Sequence, residues 1–166
     1  MRDVLAYSRV SRSEISFHPI DLEMLVQQIV AENPTFQMPR AQVTLERPFL
    51  PVRGHAASLS QCIANLLGNA IKFTEQGLLP RVTVRTEPVG DQHTRVWFED
   101  NGIGIDPDLQ GKIFGMFERG HTDRKYDGTG IGLAIVKKAV LRMRGEVGVF
   151  STPGQGSRFW IQLPRA

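Results

Sequence analysis

The chain has 166 residues, of which 41% are hydrophobic and 22% are charged, and these proportions fit an ordinary folded domain. Its formal net charge of +3 is spread without a basic run, which argues against a nucleic-acid-binding surface. No apolar stretch approaches the roughly 18 residues needed to cross a bilayer, and a single cysteine excludes an internal disulfide or a multi-cysteine zinc site.

The beginning of the chain is predicted to form short helices and strands. Residues 1–15 are typical of a short helix with too little apolar surface to stand alone. Pro19 predicts a turn, and Asp21 predicts the N-cap of a helix whose apolar residues recur at helical spacing. Alternating side chains predict strands over 41–48 and 50–54.

The remaining elements mix helices and strands. Helices are predicted over 57–74, over 107–117 and from the glycine-rich stretch to about residue 143, and strands over 81–89, 94–100, 145–151 and 157–164. The last two strands form an antiparallel meander. This order of elements predicts an α+β protein, a two-layer α/β sandwich.

The helix predicted over 57–74 has two different faces. Its apolar residues follow the spacing of one buried face, and Cys62 lies among them. A narrower polar face holds Gln61, Asn65, Asn69 and Lys72. That face is either a solvated edge or a site where amide oxygens ligate a hard cation such as Mg²⁺ and Lys72 meets phosphate charge.

A first glycine-rich turn, "EDNGIGIDP", follows the strand that ends near residue 98. Asp100 stands at the strand end, and Gly102 and Gly104 allow the backbone to approach a ligand closely. The Asp100 carboxylate could accept a hydrogen bond from an exocyclic amine. A purely structural Asx-Gly turn is the alternative.

A second glycine-rich loop, "DRKYDGTGIGLAIVKK", leads into a predicted helix. It is not a dinucleotide fingerprint, because Leu133 stands where the third glycine would be, and no G-K-[ST] sequence marks a Walker loop. The exposed N–H groups at the helix start suit an anion, with Thr129 supplying a hydroxyl. A hinge is the alternative interpretation.

Between the two loops lies "IFGMFERGHTDRKYD". Its phenylalanines can anchor a mobile segment, while Arg119 and the neighbouring cations can reach a phosphate, which is typical of a lid. The four histidines are dispersed, and we interpret them as non-catalytic.

Together, "NLLGNAIKFT", "DNGIGI", "IFGMFER" and "GTGIGLAIV" resemble the N, G1, F and G2 boxes of the ATP-binding catalytic domain of sensor histidine kinases. The resemblance covers about residues 20–164 and is closest to kinases linked to phytochrome-type or PAS-type sensors. It implies the Bergerat (GHKL) fold, a mixed sheet packed against about three helices with an ATP lid. It also implies ATP and Mg²⁺ as cofactors.

The resemblance implies roles for individual residues. Asn69 resembles the magnesium ligand, with Asn65 close to the metal, while Lys72 would meet the phosphates and Arg119 would stabilise the transferring γ-phosphoryl group. Asp100 would read the adenine amino group, supported by the hydroxyl of Ser157. The remaining cofactor-binding residues are glycines and their neighbours: Gly102 and Gly104 at the adenine, and Gly128, Thr129, Gly130, Gly132 and Leu133 at the phosphates.

The chain differs from hydrolysing members of the wider family at one position. Such ATPases carry a glutamate four residues before the metal asparagine to activate water, where this chain has Asn65. An amide cannot act as a general base, so the γ-phosphoryl group can be kept for another acceptor. A stand-alone ATPase or a non-catalytic nucleotide-binding or protein-interaction module remain alternatives.

The resemblance also implies a fragment of a longer protein. Residues 1–15 resemble the tail of the second dimerisation-hairpin helix, and residues 16–166 the catalytic domain. No histidine has the context of a phosphoacceptor. We therefore expect Mg-ATP binding with little autophosphorylation. The implied partners are the kinase's own dimerisation domain and, through the full-length kinase, a response regulator, in a cytoplasmic setting without nucleic acid or direct membrane contact.

Overall fold

In the computed structural model, the residues described are 5, 15–116 and 130–166. Within the stretches 15–116 and 130–166, the α-helices are Leu22–Glu32 (α1), Ala56–Lys72 (α2), Pro107–Gln110 (α3) and Gly132–Arg142 (α4). The strands are His18–Ile20 (β1), Gln42–Glu46 (β2), Val52–Gly54 (β3), Arg81–Val89 (β4), His93–Asp100 (β5), Glu146–Ser151 (β6) and Ser157–Pro164 (β7).

The larger sheet has five strands in the order β2-β4-β5-β7-β6. Strand β2 runs parallel to β4, whereas the other neighbours are antiparallel, so the sheet is mixed. Strands β1 and β3 form a separate antiparallel pair. This arrangement confirms the predicted α+β class with a mixed sheet.

Alternate residues of the sheet face the helices and form the core. In β4 and β5 these are Val82, Val84, Val96 and Phe98, all of them buried. Side chains from α1, α2 and α4 complete the same hydrophobic cluster. The cluster has one sheet layer and one helix layer, because a strand directs every second side chain to the same face. In the part of the chain that the structure describes, the three longer helices match the predicted number.

The opposite face of the sheet carries arginine and tryptophan side chains. Trp97 and Trp160 are directly opposite each other on β5 and β7. The Arg95 guanidinium lies 4.2 Å from the centre of the Trp160 ring, and Arg85 forms an ion pair with Glu99 at 2.8 Å. Within this layer Trp97 is only 6% exposed.

Two sequence-based expectations are wrong. Pro19 lies within β1 rather than in a turn. Among the residues that the structure describes, β1 pairs with β3 alone, and such an edge strand tolerates a proline. The helix predicted over 107–117 ends with Gln110. Gly111 follows it, and the chain continues in tight turns as Gly115 N–H donates to Lys112 C=O at 2.9 Å. Glycines stabilise helices poorly, which explains the early end.

Candidate nucleotide site

Helix α2 is fixed by its N-cap and by its buried face. The His55 side chain caps the helix by accepting a hydrogen bond from Ser58 N–H at 3.3 Å. The predicted apolar face is buried, with Leu59, Cys62, Ile63, Leu66 and Ala70 each at most 5% exposed. Burial raises the pKa of the Cys62 thiol to about 12, so this cysteine belongs to the core.

The polar face of α2 is half-buried rather than solvated. Gln61, Asn65, Asn69 and Lys72 all have intermediate exposure. Asn65 Oδ1 lies 3.7 Å from the point that a Cβ would occupy on Gly132, the first residue of α4. The Asn65 Nδ2 atom is buried, and no described residue accepts its hydrogen bonds. The amide of Asn65 therefore lies beside the α4 N-terminus.

Asp100 ends strand β5 and is held by two backbone donors. Its Oδ1 atom accepts from Gly102 N–H at 2.8 Å and from Ser157 N–H at 3.1 Å. Burial raises the pKa of the Asp100 carboxyl to about 6, although these two N–H groups act in the opposite direction. Within the described parts of the chain, Oδ2 has no hydrogen-bond partner, so it remains an acceptor for a ligand.

Gly102 and Gly104 are required by close contacts with other parts of the backbone. A Cβ on Gly102 would lie 2.8 Å from Phe73 O at the end of α2. One on Gly104, which has a φ of +75°, would lie 2.2 Å from Thr152 O in the β6–β7 turn. These glycines therefore fix the loop that carries Asp100 against α2 and against that turn.

Ser157 contacts Asp100 in a different way from the one expected. Its backbone N–H, not its hydroxyl, donates to Asp100. The hydroxyl lies 2.8 Å from the Oγ atom of Ser151 on the neighbouring strand. The two serines are directly opposite each other in the β6–β7 register, which brings their hydroxyl groups together.

The start of α4 has no side-chain cap. Ile131 occupies the N-cap position and supplies no side-chain hydrogen bond, so the first N–H groups of the helix have no cap of that kind. Gly130 precedes it with a φ of +70°, and Leu133 packs against the core. Arg119, Gly128 and Thr129 lie outside the described residues.

Three residues near Asp100 were missed by the sequence analysis. Gly156 has a φ of +79°, and a Cβ there would lie 2.0 Å from Asp100 O. Ser151 and Gln110 hydrogen-bond the loop that follows Asp100. The stretch "GQG" at 154–156 repeats the alternate-glycine spacing of the other two loops and could have identified Gly156.

Comparison with known proteins gives the family. The sequence model of one protein family, the histidine kinase-, DNA gyrase B- and HSP90-like ATPases, matches residues 54–166. The chain belongs to this family. The matched residues include α2, the Asp100 loop, α4 and the last two strands, so the family match covers all the site elements described above.

The similar proteins include a phytochrome and a sensor histidine kinase. Cyanobacterial phytochrome A of Nostoc is 36% identical over 166 residues, which cover 98% of this chain and 21% of that protein. The sensor histidine kinase AruS of Pseudomonas aeruginosa is 43% identical over 120 residues, covering 69% of this chain and 12% of the relative. The chain thus spans about a fifth or less of these two relatives.

A solved structure agrees with this assignment. Full-length ShkA in complex with AMPPNP superimposes with a TM-score of 0.82 at 32% identity, covering 99% of this chain and 35% of that one. The family match, the kinase relatives and this superposition confirm the predicted resemblance to the ATPase domain of sensor histidine kinases, and they confirm the predicted fold. In the described ranges, no helix has the length and apolar character needed to span a membrane.

Proposed function

We propose that the chain binds Mg-ATP and donates the γ-phosphoryl group to a histidine on a dimerisation domain outside residues 1–166. The observation that carries this proposal is the placement of two site regions along α2. Asn65 lies beside the start of α4, and Phe73 O accepts from Ile103 N–H of the Asp100 loop at 2.9 Å. Eight helical residues span about 12 Å, which suits a nucleoside triphosphate lying along the helix.

The adenine end of this site would be the Asp100 loop. The free Oδ2 acceptor of Asp100 suits the exocyclic amino group of adenine, which donates hydrogen bonds. The phosphate end would be the uncapped start of α4, where N–H groups and the helix dipole favour negative charge. Lys72 would add a positive charge on the same face of α2.

The residues present also fit a magnesium ion. Mg²⁺ takes oxygen ligands and is held in many nucleotide sites by one or two protein groups together with phosphate oxygens and water. Asn65 and Asn69 supply two amide oxygens one helical turn apart. The buried Nδ2 atom of Asn65 has no hydrogen-bond partner among the described residues, so contacts within the protein do not account for this amide. When bound, the ion would neutralise phosphate charge during transfer.

The remaining roles in transfer belong to the protein. Arg119 would stabilise charge on the transferring group. Asn65 cannot take a proton from water, which disfavours hydrolysis and leaves the phosphoryl group for an acceptor. Residues 1–15 would connect this catalytic domain, residues 16–166, to the dimerisation domain that carries the acceptor histidine. A response regulator would receive the phosphoryl group from the full-length kinase.

Incubation of the purified chain with γ-labelled ATP tests this function. We expect saturable, magnesium-dependent ATP binding, with little label retained on the protein and little phosphate released. Heavy self-labelling would contradict the absence of an acceptor histidine. Steady phosphate release would favour a stand-alone ATPase, and absence of nucleotide binding would favour a protein-interaction module.

Replacing Asn69 by alanine tests the metal assignment. Without the amide oxygen, Mg²⁺ should no longer strengthen ATP binding, and we expect about a tenfold loss of affinity in magnesium, as for a lost hydrogen bond or ligand worth roughly 1.4 kcal/mol. Affinity without Mg²⁺ should change little.

The matched control for Asn69→Ala is Gln61→Ala. Gln61 is half-buried on the same face of α2, two turns before Asn69. Titration calorimetry with and without Mg²⁺ measures both variants. An equal magnesium dependence in Asn69→Ala and Gln61→Ala would show that Asn69 does not contact the ion.

A further inference from the structure

One amide group joins two segments on either side of the candidate adenine site. Gln110 Nε2, at the end of α3, donates to Ile105 C=O at 3.0 Å and to Ser151 C=O at 2.8 Å. Ile105 ends the loop that starts at Asp100, and Ser151 ends β6. The two hydrogen atoms of the amide suffice for two carbonyl acceptors. Gln110 therefore holds the loop and the β6–β7 turn together.

The Ser151 hydroxyl forms the second part of the same connection. Its Oγ atom accepts from Ile105 N–H at 2.8 Å, and it lies 2.9 Å from Gly156 O and 2.8 Å from Ser157 Oγ. A hydroxyl has one proton. If that proton goes to the Gly156 carbonyl, Ser157 must donate its own proton to Ser151. Ser157 then presents only its backbone N–H to Asp100, as observed.

These contacts lead directly to the carboxylate. Gly156 precedes Ser157, and the backbone N–H of Ser157 is one of the two donors that hold Asp100 Oδ1. The other donor, Gly102 N–H, belongs to the loop whose far end is bound by Gln110 and Ser151. Both donors that orient the carboxylate therefore depend on the position of segments joined by these two side chains.

We propose that Gln110 and Ser151 are positioning residues that set the selectivity of this site for a nucleobase with an exocyclic amino group. The inference rests on the proposed ATP-binding function and deepens it. By fixing the loop and the turn, the two side chains fix the direction of Asp100 Oδ2. That oxygen accepts a hydrogen bond from the amino group of adenine. It repels an oxo group at the same position, because both groups are hydrogen-bond acceptors.

The first test replaces Gln110 by glutamate and measures the affinities of ATP and inosine triphosphate. Inosine triphosphate differs from ATP by an oxo group in place of the exocyclic amine. Glutamate keeps the shape of glutamine but cannot donate to either carbonyl. We expect the wild-type chain to prefer ATP, and the ratio of the two affinities to fall about tenfold in Gln110→Glu, because a carboxylate that is no longer held in one direction loses most of one hydrogen bond's worth of discrimination between the two bases.

Gln155→Glu is the matched control. Gln155 is exposed in the same β6–β7 turn, and its side chain forms no hydrogen bond with the described residues. The substitution makes the same change of charge and shape near the site, so the ATP preference should stay at the wild-type value. A general loss of folding lowers both affinities and leaves their ratio unchanged.

Ser151 gives an independent second pair of variants. Ser151→Ala should lower the ATP preference about as much as Gln110→Glu, whereas Ser151→Thr keeps the hydroxyl and should retain it. If both Gln110→Glu and Ser151→Ala keep the wild-type preference for ATP, this inference is wrong, but the proposed ATP-binding function is unaffected. A wild-type chain that binds neither nucleotide would overturn the proposed function as well.

Discussion

Asp100→Asn is expected to weaken ATP binding about 100-fold while leaving the fold intact. Asparagine has one acceptor oxygen, and the donors at Gly102 N–H and Ser157 N–H already use the corresponding Oδ1 atom. The asparagine NH₂ group then takes the place of Oδ2, so a donor faces the adenine amino group. The loss of a charged acceptor and the new repulsion together correspond to about 2.7 kcal/mol.

Although Asp100→Asn should weaken ATP binding, it should not lower the stability of the fold. Burial raises the pKa of Asp100 from 3.8 to about 6, so the folded chain holds this proton more tightly than the unfolded chain. The charged carboxylate therefore costs stability above pH 6, and this cost is relieved as the pH falls from about 6 to about 4. Asparagine is never charged, so at pH 7.5 the variant should unfold at a temperature equal to or above that of the wild type.

The same pKa predicts how nucleotide binding depends on pH. Below about pH 6 the Asp100 carboxyl becomes protonated, and its affinity for a donor falls. The advantage of the wild type over Asp100→Asn should therefore be largest above pH 7 and decrease as the pH falls through 6. Taking the ratio of the two affinities at each pH removes the titration of ATP itself, because both proteins bind the same nucleotide.

Asp106→Asn is the control for both measurements. Asp106 Oδ1 accepts from the N–H two residues further on, Asp108, at 2.9 Å, which is the same local turn that Asp100 makes with Gly102. Asp106 is exposed at the N-cap of α3, so its substitution should not alter ATP affinity. Equal affinities in Asp100→Asn and Asp106→Asn would remove Asp100 from the site.

Patterns within a few residues predicted a large part of the structure. The two faces of α2 and the alternation of β4 and β5 are local periodicities. They predicted these elements correctly, because each element buries one side. The length of α3 was predicted wrongly, because the helix ends at Gln110 before Gly111 and the Gln110 side chain contacts the distant Ser151, a partner that the local pattern could not indicate.

The site shows the same division between local and distant signals. Asp100 could be proposed as a site residue from its own loop, because an aspartate followed by alternate glycines is a local signal. The partner of the Ser157 hydroxyl could not be predicted from neighbouring residues, because it depends on the β6–β7 register that places Ser151 opposite Ser157. The contacts of Gly102 and Gly104 are equally non-local: both glycines approach backbone atoms of other elements, at Phe73 and Thr152.

Gly156→Ala is expected to have the largest effect on stability. The residue has a φ of +79°, and an added Cβ would lie 2.0 Å from Asp100 O, a backbone atom that cannot move aside cheaply. We expect the free energy of unfolding to fall by about 3 kcal/mol or more, from overpacking combined with a left-handed conformation that disfavours alanine. Because Ser157 N–H holds Asp100, the same displacement should weaken ATP binding at least about tenfold.

Gly154→Ala separates the two causes. Gly154 has the same φ of +79° in the same turn, but a Cβ there would meet nothing within 4 Å. The free energy of unfolding of Gly154→Ala should fall only by the cost of placing alanine in a left-handed conformation, about 1–2 kcal/mol. The hydrogen bond from the N–H of residue 154 to Ile103 C=O, at 2.7 Å, can be kept. Chemical denaturation measures both variants. If they lose equal stability and equal ATP affinity, the approach of Gly156 to Asp100 does not hold the carboxylate in place. If only Gly156→Ala weakens nucleotide binding, the β6–β7 turn is part of the adenine site although none of its side chains would need to touch the base.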